Sequence, residues 1–369
     1  MAYDYNHLPH KGIQTLSPYV PGKSIEELAK EKGLTDIIKL ASNENPRGCS
    51  QMVVEALEAL SSQQVATYPV PAAHPLPQAL AAKLNIDLNM LTLGHGSDAL
   101  FQLLIICFAL HRNKTIMTHD HAFQTYQILA NIFGVPLIST PLHKDWSVSI
   151  DAMIERCDDT TALIFIANPN NPTGSLVTRD DIIKLLNHIP ETTLLVLDEA
   201  YYEYLHPTDN PNALSLLSTF SNLIITRTFS KGYGLAGLRL GYAISHPSIH
   251  ALMQKVVLPF TISQAALAGG LAALKDDAFV QDSVDLNRRE LQRVRDTLIQ
   301  RGFECLPSFA NFVTFDCKKE GSIVYNALLQ QGIIVRPLYA YDLNHYLRVS
   351  IGTAEQNTRF LDTLKGLYE

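Results

Sequence analysis

Cysteine is scarce in this chain of 369 residues, which contains five. The number is odd and no two cysteines are close in sequence, so the sequence predicts neither a disulfide framework nor a zinc site, and we expect no bound metal. Such a chain suits a reducing compartment, and we expect a cytoplasmic protein. The five residues are Cys49, Cys107, Cys157, Cys305 and Cys317.

Long apolar runs and an excess of positive charge are also missing. The longest apolar stretches are far shorter than a membrane span, and the first residues lack a basic segment followed by an apolar run. We therefore expect no membrane partner and no signal peptide. The formal net charge of -7 argues against a nucleic-acid partner. With 47% hydrophobic and 18% charged residues, the chain can bury a sizeable core.

Short apolar runs alternate with amphipathic segments from about residue 97 onward, which is typical of α/β proteins. The predicted strands are apolar nearly throughout, as strands of a mostly parallel sheet covered on both faces are. Gly134 is placed to end one helix, and Thr178 to cap the start of another. The predicted strands cover 115–120, 161–169, 192–200 and 223–229, and two of the predicted helices cover 122–134 and 180–189.

No linker rich in Gly or Ser, no internal repeat and no low-complexity tract divides the chain. From about residue 261, two helices precede strands that alternate with helices, which indicates a smaller α+β unit packed on the larger one. We predict an α/β fold in three parts. Residues 1–40 are an N-terminal arm and part of the small domain, 41–265 are the large domain with a mostly parallel sheet flanked by helices, and 266–369 are the smaller α+β domain.

Three polar segments follow predicted strands, at residues 168–174, 198–201 and 228–231. Ligands bind at this end of the strands in open α/β sheets. Read singly, each segment also has a structural explanation, as a turn, a helix cap or a solvated lysine. Read together, they match the separate needs of one cofactor, pyridoxal phosphate.

Pyridoxal phosphate needs a lysine for its aldehyde and an acid that keeps its pyridine nitrogen protonated. Lys231 can supply the amine and Asp198 the acid. Asn171 and Tyr201 are suitable donors to the phenolic oxygen. The phosphate needs hydroxyls, a cation and the N–H groups of a helix start. Candidates for these are Thr228, Ser230 and Arg239, together with residues 94–98, which open a helix and include Ser97 and Asp98.

The segment 228–241 (TFSKGYGLAGLRLG) has a highly specific spacing of lysine, glycines and arginine. On this segment the chain resembles the fold-type I aminotransferases, and the similarity covers nearly its whole length. Residues 40–46 (LASNENP) and 347–353 (LRVSIGT) are similar to the histidinol-phosphate branch of that family. The resemblance implies that Lys231 holds the cofactor as a Schiff base and moves the substrate proton. It also implies catalytic roles for Asp198 and Tyr201, the cofactor contacts given above, a cofactor-binding large domain, and Phe123 stacked on the cofactor ring.

The same resemblance implies a homodimer in which Tyr68 reaches the phosphate in the neighbouring subunit's site. Arg348 and Arg336 would bind substrate anions, because a guanidinium fork fits both carboxylate and phosphate. Tyr19 and Asn43 would line the same pocket. From the residues alone, Tyr68 could also be a core or surface residue, and Arg336 a surface ion-pair partner.

The resemblance to this branch implies transamination between histidinol phosphate and 2-oxoglutarate, with imidazole-acetol phosphate and glutamate as the other pair, in histidine biosynthesis. The alternatives are an aminotransferase of aromatic amino acids, a lyase or decarboxylase on the same fold, and a non-catalytic binding protein. Two departures from the family pattern put the substrate in doubt. Four prolines at 69–77 stiffen a loop. His95 and Ala99 stand where Asn and Glu are frequent.

Overall fold

The computed structural model describes residues 5–18 and 22–369, so Tyr19 lies outside the described residues. The strands are β1 (Ile38–Lys39), β2 (Leu91–His95), β3 (Thr115–His119), β4 (Leu137–Thr140), β5 (Thr161–Ala167), β6 (Leu194–Asp198), β7 (Leu223–Thr228), β8 (Leu240–Ser245), β9 (Glu304–Cys305), β10 (Phe312–Asp316), β11 (Ile333–Ile334), β12 (Arg336–Leu338) and β13 (Leu343–Ser350). The α-helices are α1 (Lys11–Gln14), α2 (Ile25–Lys32), α3 (Gln51–Glu58), α4 (Ser62–Ala66), α5 (Pro75–Leu84), α6 (Gly96–Phe108), α7 (Thr125–Phe133), α8 (Ile150–Arg156), α9 (Arg179–His188), α10 (Pro247–Gln254), α11 (Gln264–Ala273), α12 (Asp277–Gln300), α13 (Gly321–Gln330) and α14 (Ala354–Gly366).

The main sheet has the strand order β2-β8-β7-β6-β5-β3-β4. The pairs from β7 to β4 are parallel, and β8 runs antiparallel to both of its neighbours. Side chains of β5 alternate between two cores: Ile164 and Ile166 belong to one, Leu163 and Phe165 to the other. The strand is apolar throughout because both faces of the sheet are covered. The predicted mostly parallel sheet flanked by helices is confirmed.

Capping residues set the helix boundaries near the site. Thr178 and Asp181 form a capping box at the start of α9, and Gly134 ends α7 with φ 64°. Helix α7 begins at Thr125, later than the predicted start at residue 122. The chain first makes a turn, in which His121 has φ 54° and Ala122 N–H donates to the His119 carbonyl oxygen, and the first α-helical bond runs from Ile128 N–H to the Gln124 carbonyl oxygen.

A four-stranded antiparallel sheet, in the order β12-β13-β10-β9, forms the centre of the smaller α+β unit. Helices α12, α13 and α14 share one hydrophobic core with this sheet. The N-terminal part of the chain joins the same unit. Strand β1 pairs in parallel with β11, and Leu28 of α2 packs with Leu329 and Ile334.

Helix α11 packs differently from the helices that follow it. Its residues Ala266 and Leu267 lie in a core of the main sheet, although they come after the boundary expected at residue 265. The helix therefore packs against the larger unit, because its buried apolar side chains are part of that core. The division into 1–40, 41–265 and 266–369 stays a prediction.

The proline-rich segment 69–77 is a short turn followed by the first turn of a helix. Residues Pro71–Ala73 form one 3-10 turn, and α5 begins at Pro75. The missing N–H of a proline is harmless there, since the first turn of a helix has no intrahelical acceptor for it. His74 caps the helix, because its ring nitrogen accepts from the backbone N–H of Leu76 at 3.1 Å. The prolines thus start a helix as well as stiffening the chain.

In the two described ranges no helix is both long and apolar enough to cross a membrane. No cluster of three or more His, Cys, Asp or Glu side chains in them could hold a metal ion. All five cysteines are free thiols.

Candidate active site

The carboxyl ends of the parallel strands β5, β6 and β7 meet at one edge of the main sheet, where a pocket opens. Neighbouring parallel strands end at the same edge, which is why three segments that are distant in sequence come together. All predicted cofactor residues except Tyr68 line this pocket. The lining consists of Ser97, Asp98, Phe123, Ala167, Pro169, Asn171, Asp198, Ala200, Tyr201, Thr228, Ser230, Lys231 and Arg239.

Lys231 follows β7 and is half-buried in the pocket. Its Nζ donates to the carbonyl oxygen of Ser42 at 2.9 Å and lies 5.8 Å from the centre of the Tyr201 ring. Burial, and next the positive charge of Arg348, lower the pKa of Lys231 to about 8. A lysine with this pKa is neutral often enough near neutral pH to act as a nucleophile or a base.

Asp198 is the last residue of β6 and is 3% exposed. The Tyr126 hydroxyl donates to its Oδ2 at 2.8 Å, and the Thr226 hydroxyl to its Oδ1 at 3.4 Å. No residue in the described ranges forms an ion pair with it, and burial raises its pKa to about 7. Tyr126 is a contact of Asp198 that the sequence motifs did not predict. A buried tyrosine hydroxyl needs a partner, so its place one turn after Phe123 was an available signal.

Asn171 and Tyr201 present hydrogen-bond donors to the pocket. Arg348 Nη1 donates to Asn171 Oδ1, which leaves the amide NH₂ of Asn171 for the pocket. Asn43 Nδ2 donates to the Tyr201 hydroxyl oxygen at 2.8 Å. Burial raises the pKa of Tyr201 to about 12, so its hydroxyl keeps its proton at neutral pH.

The N-terminus of α6 forms the other end of the pocket. The side chain of His95, which precedes this helix, makes no capping hydrogen bond and so leaves the N–H groups of the first turn available. Gly96 has φ 75°, and a Cβ there would lie 2.6 Å from Arg239 Nη2. Arg239 Nη2 also contacts Asp98 Oδ2 at 3.4 Å. The glycine therefore leaves the space in which a guanidinium and free N–H groups can meet an anion.

Arg336 and Arg348 are opposite each other in the pairing of β12 with β13. Directly opposite residues of an antiparallel pair point to the same side of the sheet. Arg348 is buried and its Nη2 donates to the carbonyl oxygen of Ala41 at 2.6 Å. Asn43, also predicted to meet substrate, is buried and hydrogen-bonded to Tyr201.

Tyr68 lies outside the pocket and is 76% exposed. Its ring stacks on that of Phe260, with centroids 4.4 Å apart. Phe260 is 52% exposed, and Leu258 beside it is 69% exposed. The structure of one chain therefore does not bring Tyr68 to the other predicted cofactor residues.

The residues of this pocket fit pyridoxal phosphate on two observations. Asp198 is a buried carboxylate without a cationic partner in the described residues, and a protonated pyridine nitrogen would supply that charge. The uncapped start of α6, with the hydroxyls of Thr228 and Ser230 and the Arg239 guanidinium, has the donors that a phosphate requires. Both ends of the cofactor would thus find matching groups.

Comparison with known proteins agrees with the fold and the pocket. The family model "Aminotransferase class I and II" matches residues 35–364. The chain therefore belongs to the class I and II aminotransferases. It is similar to histidinol-phosphate aminotransferase 2 of Legionella pneumophila strain Lens, with 52% identity over 100% of both chains. It is also 39% identical to histidinol-phosphate aminotransferase 2 of Haemophilus influenzae Rd, over 98% of each chain.

Solved structures show the same architecture. Histidinol-phosphate aminotransferase from Sinorhizobium meliloti, in complex with pyridoxal-5'-phosphate, superposes with a TM-score of 0.86 at 27% identity and 99% coverage of both chains. Aspartate aminotransferase from Thermotoga maritima has a TM-score of 0.82 at 19% identity and covers 92% of this chain and 94% of its own. The second likeness concerns the fold alone. The expected fold-type I aminotransferase architecture is confirmed.

Proposed function

We propose that this enzyme uses pyridoxal phosphate to transfer an amino group between histidinol phosphate and 2-oxoglutarate in histidine biosynthesis. Imidazole-acetol phosphate and glutamate are the other pair of the same reaction. Support comes from full-length relatives of that name and from the pocket. The observation that carries the proposal is that Lys231 and Asp198 line one pocket of an aminotransferase fold, and that Arg348 donates to Asn171 in the wall of that pocket.

Bound pyridoxal phosphate supplies an electron-accepting ring for bonds at the substrate α-carbon. Asp198 would pair with the pyridine nitrogen and keep it protonated. Asn171 and Tyr201 would donate to the phenolic oxygen, and Phe123 would stack on the ring. The phosphate would be held by Ser97, Asp98, Thr228, Ser230 and Arg239.

Lys231 has two tasks in this proposal. Its amine would hold the cofactor covalently. The same amine would act as the base that moves a proton at the substrate α-carbon. A pKa of about 8, set by burial and by Arg348, makes Lys231 a usable base near neutral pH.

Arg348 and Arg336 bind the substrate anions. Their directly opposite positions in the pairing of β12 with β13 put both side chains on one side of the small sheet, so both can approach one substrate anion. The planar fork accepts a carboxylate or a phosphate with the same geometry. One site can therefore serve glutamate and histidinol phosphate in turn, and we assign Tyr19 and Asn43 to the same pocket.

The active enzyme is a homodimer in this proposal. Tyr68 and Phe260 form an exposed stacked pair, which a second copy of the chain would cover. In the dimer Tyr68 reaches the phosphate of the neighbouring site. The free thiols suit a cytoplasmic location, which we also propose.

The test is the visible spectrum and the acceptor preference of the purified protein. With pyridoxal phosphate it should absorb near the violet edge, and glutamate should bleach this band. Lys231→Ala should lose the band, whereas Lys255→Ala, at an exposed lysine, should keep it. The ratio kcat/KM should be higher for imidazole-acetol phosphate than for an aromatic oxo acid. A protein without the band would disprove the cofactor assignment, and the reverse preference would make it an aromatic aminotransferase.

A further inference from the structure

The hydrogen bonds between Ser350 and Asn43 have a fixed direction. The backbone N–H of Asn43 donates to Ser350 Oγ at 2.8 Å, and a backbone N–H can only donate. The proton of the Ser350 hydroxyl is thus available to the side-chain oxygen of Asn43, Oδ1, which is 2.8 Å away. Because the buried Ser350 proton needs an acceptor, the serine favours Oδ1 as the end of the Asn43 amide that faces it.

The orientation of the Asn43 amide also sets which partner donates in its hydrogen bond with Tyr201. With Oδ1 turned to the serine, the amide presents Nδ2 to the Tyr201 hydroxyl oxygen at 2.8 Å. An amide NH₂ can only donate, so the tyrosine oxygen is the acceptor. The single proton of Tyr201 must then point away from Asn43. Since Tyr201 lines the pocket, the pocket is where that proton can find an acceptor.

Burial protects the hydrogen bonds that join Ser350, Asn43 and Tyr201. Asn43 is 1% exposed, and Ser350 and Tyr201 are buried as well, so water cannot easily replace either partner. The backbone of Asn43 has φ 55°, and Asn311 Nδ2 donates to its carbonyl oxygen at 3.0 Å. The asparagine is thus held in an unusual left-handed conformation that aims its amide between the two hydroxyls.

We propose that Ser350 and Asn43 are positioning residues that turn the Tyr201 hydroxyl toward the pocket, where it donates to the phenolic oxygen of the cofactor. This inference rests on the proposed function, because it needs pyridoxal phosphate in the pocket. It assigns Asn43 a role beyond lining the substrate site. It also gives Ser350, two residues after Arg348 in β13, a part in tuning the cofactor.

The effect of this hydrogen bond can be measured as the pKa of the covalent linkage between the Lys231 nitrogen and the cofactor. Donation from Tyr201 to the phenolic oxygen stabilises its negative charge. That stabilisation is larger when the neighbouring Lys231 nitrogen has lost its proton and no longer offsets the charge. A correctly turned hydroxyl therefore lowers the pKa of the linkage, and a hydroxyl turned elsewhere leaves it higher.

The experiment is a spectrophotometric pH titration of the holoenzyme without substrate. Tyr201→Phe removes the donor and should raise the pKa of the linkage by about one unit, the size expected for one charge-assisted hydrogen bond. Ser350→Ala allows the Asn43 amide to turn over and should also raise the pKa of the linkage. Ser350→Thr keeps a hydroxyl and should restore the wild-type pKa.

A double-mutant cycle separates positioning from a general structural effect. In a Tyr201→Phe background, Ser350→Ala should cause no further shift, because there is no hydroxyl left to direct. Asn43→Asp serves as a second variant if Ser350→Ala does not fold. Its two acceptor oxygens should attract the Tyr201 proton and raise the pKa more in the Tyr201 background than in the Tyr201→Phe background.

The outcomes distinguish this inference from the proposed function. If the wild-type holoenzyme titrates but the shift of Ser350→Ala is absent, or is equally large without the Tyr201 hydroxyl, the positioning role is wrong and the proposed function stands. If the wild-type protein forms no absorbing linkage at Lys231, both are wrong. A shift that disappears in the Tyr201→Phe background and is reversed by Ser350→Thr supports the inference.

Discussion

Arg348 on β13 is directly opposite Arg336 on β12, and Arg348 also donates to Asn171 at the wall of the cofactor pocket. The proposed substrate site and the proposed cofactor site are therefore joined by one side chain. Each guanidinium has a planar fork of donors that fits a carboxylate or a phosphate, so the arrangement favours an anionic substrate.

Arg348→Lys should lower kcat/KM for both glutamate and histidinol phosphate by roughly 10- to 100-fold. A lysine keeps the charge but loses the planar fork and one of its hydrogen bonds. Steady-state kinetics with each substrate would measure the loss. Arg301→Lys, at an arginine that pairs with Asp362, is the matched control and should change neither value. Equal kinetics in the Arg348 variant and the control would show that Arg348 does not bind substrate.

Tyr126→Phe should raise the pH below which the affinity for the cofactor falls. Burial already raises the pKa of Asp198 to about 7, and donation from Tyr126 opposes that rise. Without the donor the pKa of Asp198 is higher, so the carboxylate is neutral over a wider range of acidic pH. It then holds a protonated pyridine nitrogen less well, and affinity should fall as pH falls through that higher pKa.

Titrating the apoenzyme with pyridoxal phosphate between about pH 5 and pH 8 would show a shift of about half to one unit. Tyr204→Phe removes another buried tyrosine hydroxyl outside the pocket and is the control. An unmoved profile in Tyr126→Phe would mean that Tyr126 does not tune Asp198.

Gly96→Ala should weaken binding of pyridoxal phosphate by at least about 10-fold. Alanine is strained at φ 75°, at a cost of about 1–2 kcal/mol, and its Cβ would lie 2.6 Å from Arg239 Nη2. Binding of pyridoxal, which lacks the phosphate, should change much less. Gly237→Ala is the control, since a Cβ there has no atom within 4 Å. Similar losses of affinity for pyridoxal phosphate and for pyridoxal would show that the phosphate does not bind beside Gly96.

Mixing two inactive variants should restore activity if Tyr68 serves the neighbouring site. Lys231→Ala and Tyr68→Ala chains, unfolded and refolded together, would form mixed dimers with one intact site each. About a quarter of wild-type activity is then expected, because half of the dimers are mixed and each has one of two sites. Separate refolding of each variant is the control. No recovery in mixed dimers, verified by mass, would contradict the shared site.

Local sequence alone predicted which residues line the pocket, the chemistry we propose for them, and much of the framework around them. The spacing of Lys231, the glycines and Arg239 in one segment predicts a cofactor-binding loop. Residues this close in sequence also stay close in space, so the segment brings them together by itself. Thr178 and Gly134 set helix ends through bonds to their own neighbours. The apolar strands indicated a sheet covered on both faces, and their polar ends predicted which residues would line the pocket.

Only the tertiary structure decided how these residues are oriented. Tyr126 reaches Asp198, and Ser350 reaches Asn43 across 307 positions of sequence, through contacts that depend on strand register and on how the two units pack. The pairing of Arg336 with Arg348 is likewise a matter of register. A sequence motif specifies which atoms are present. The direction in which a hydroxyl or an amide donates depends on neighbours from distant segments, and these meet only when the chain is folded.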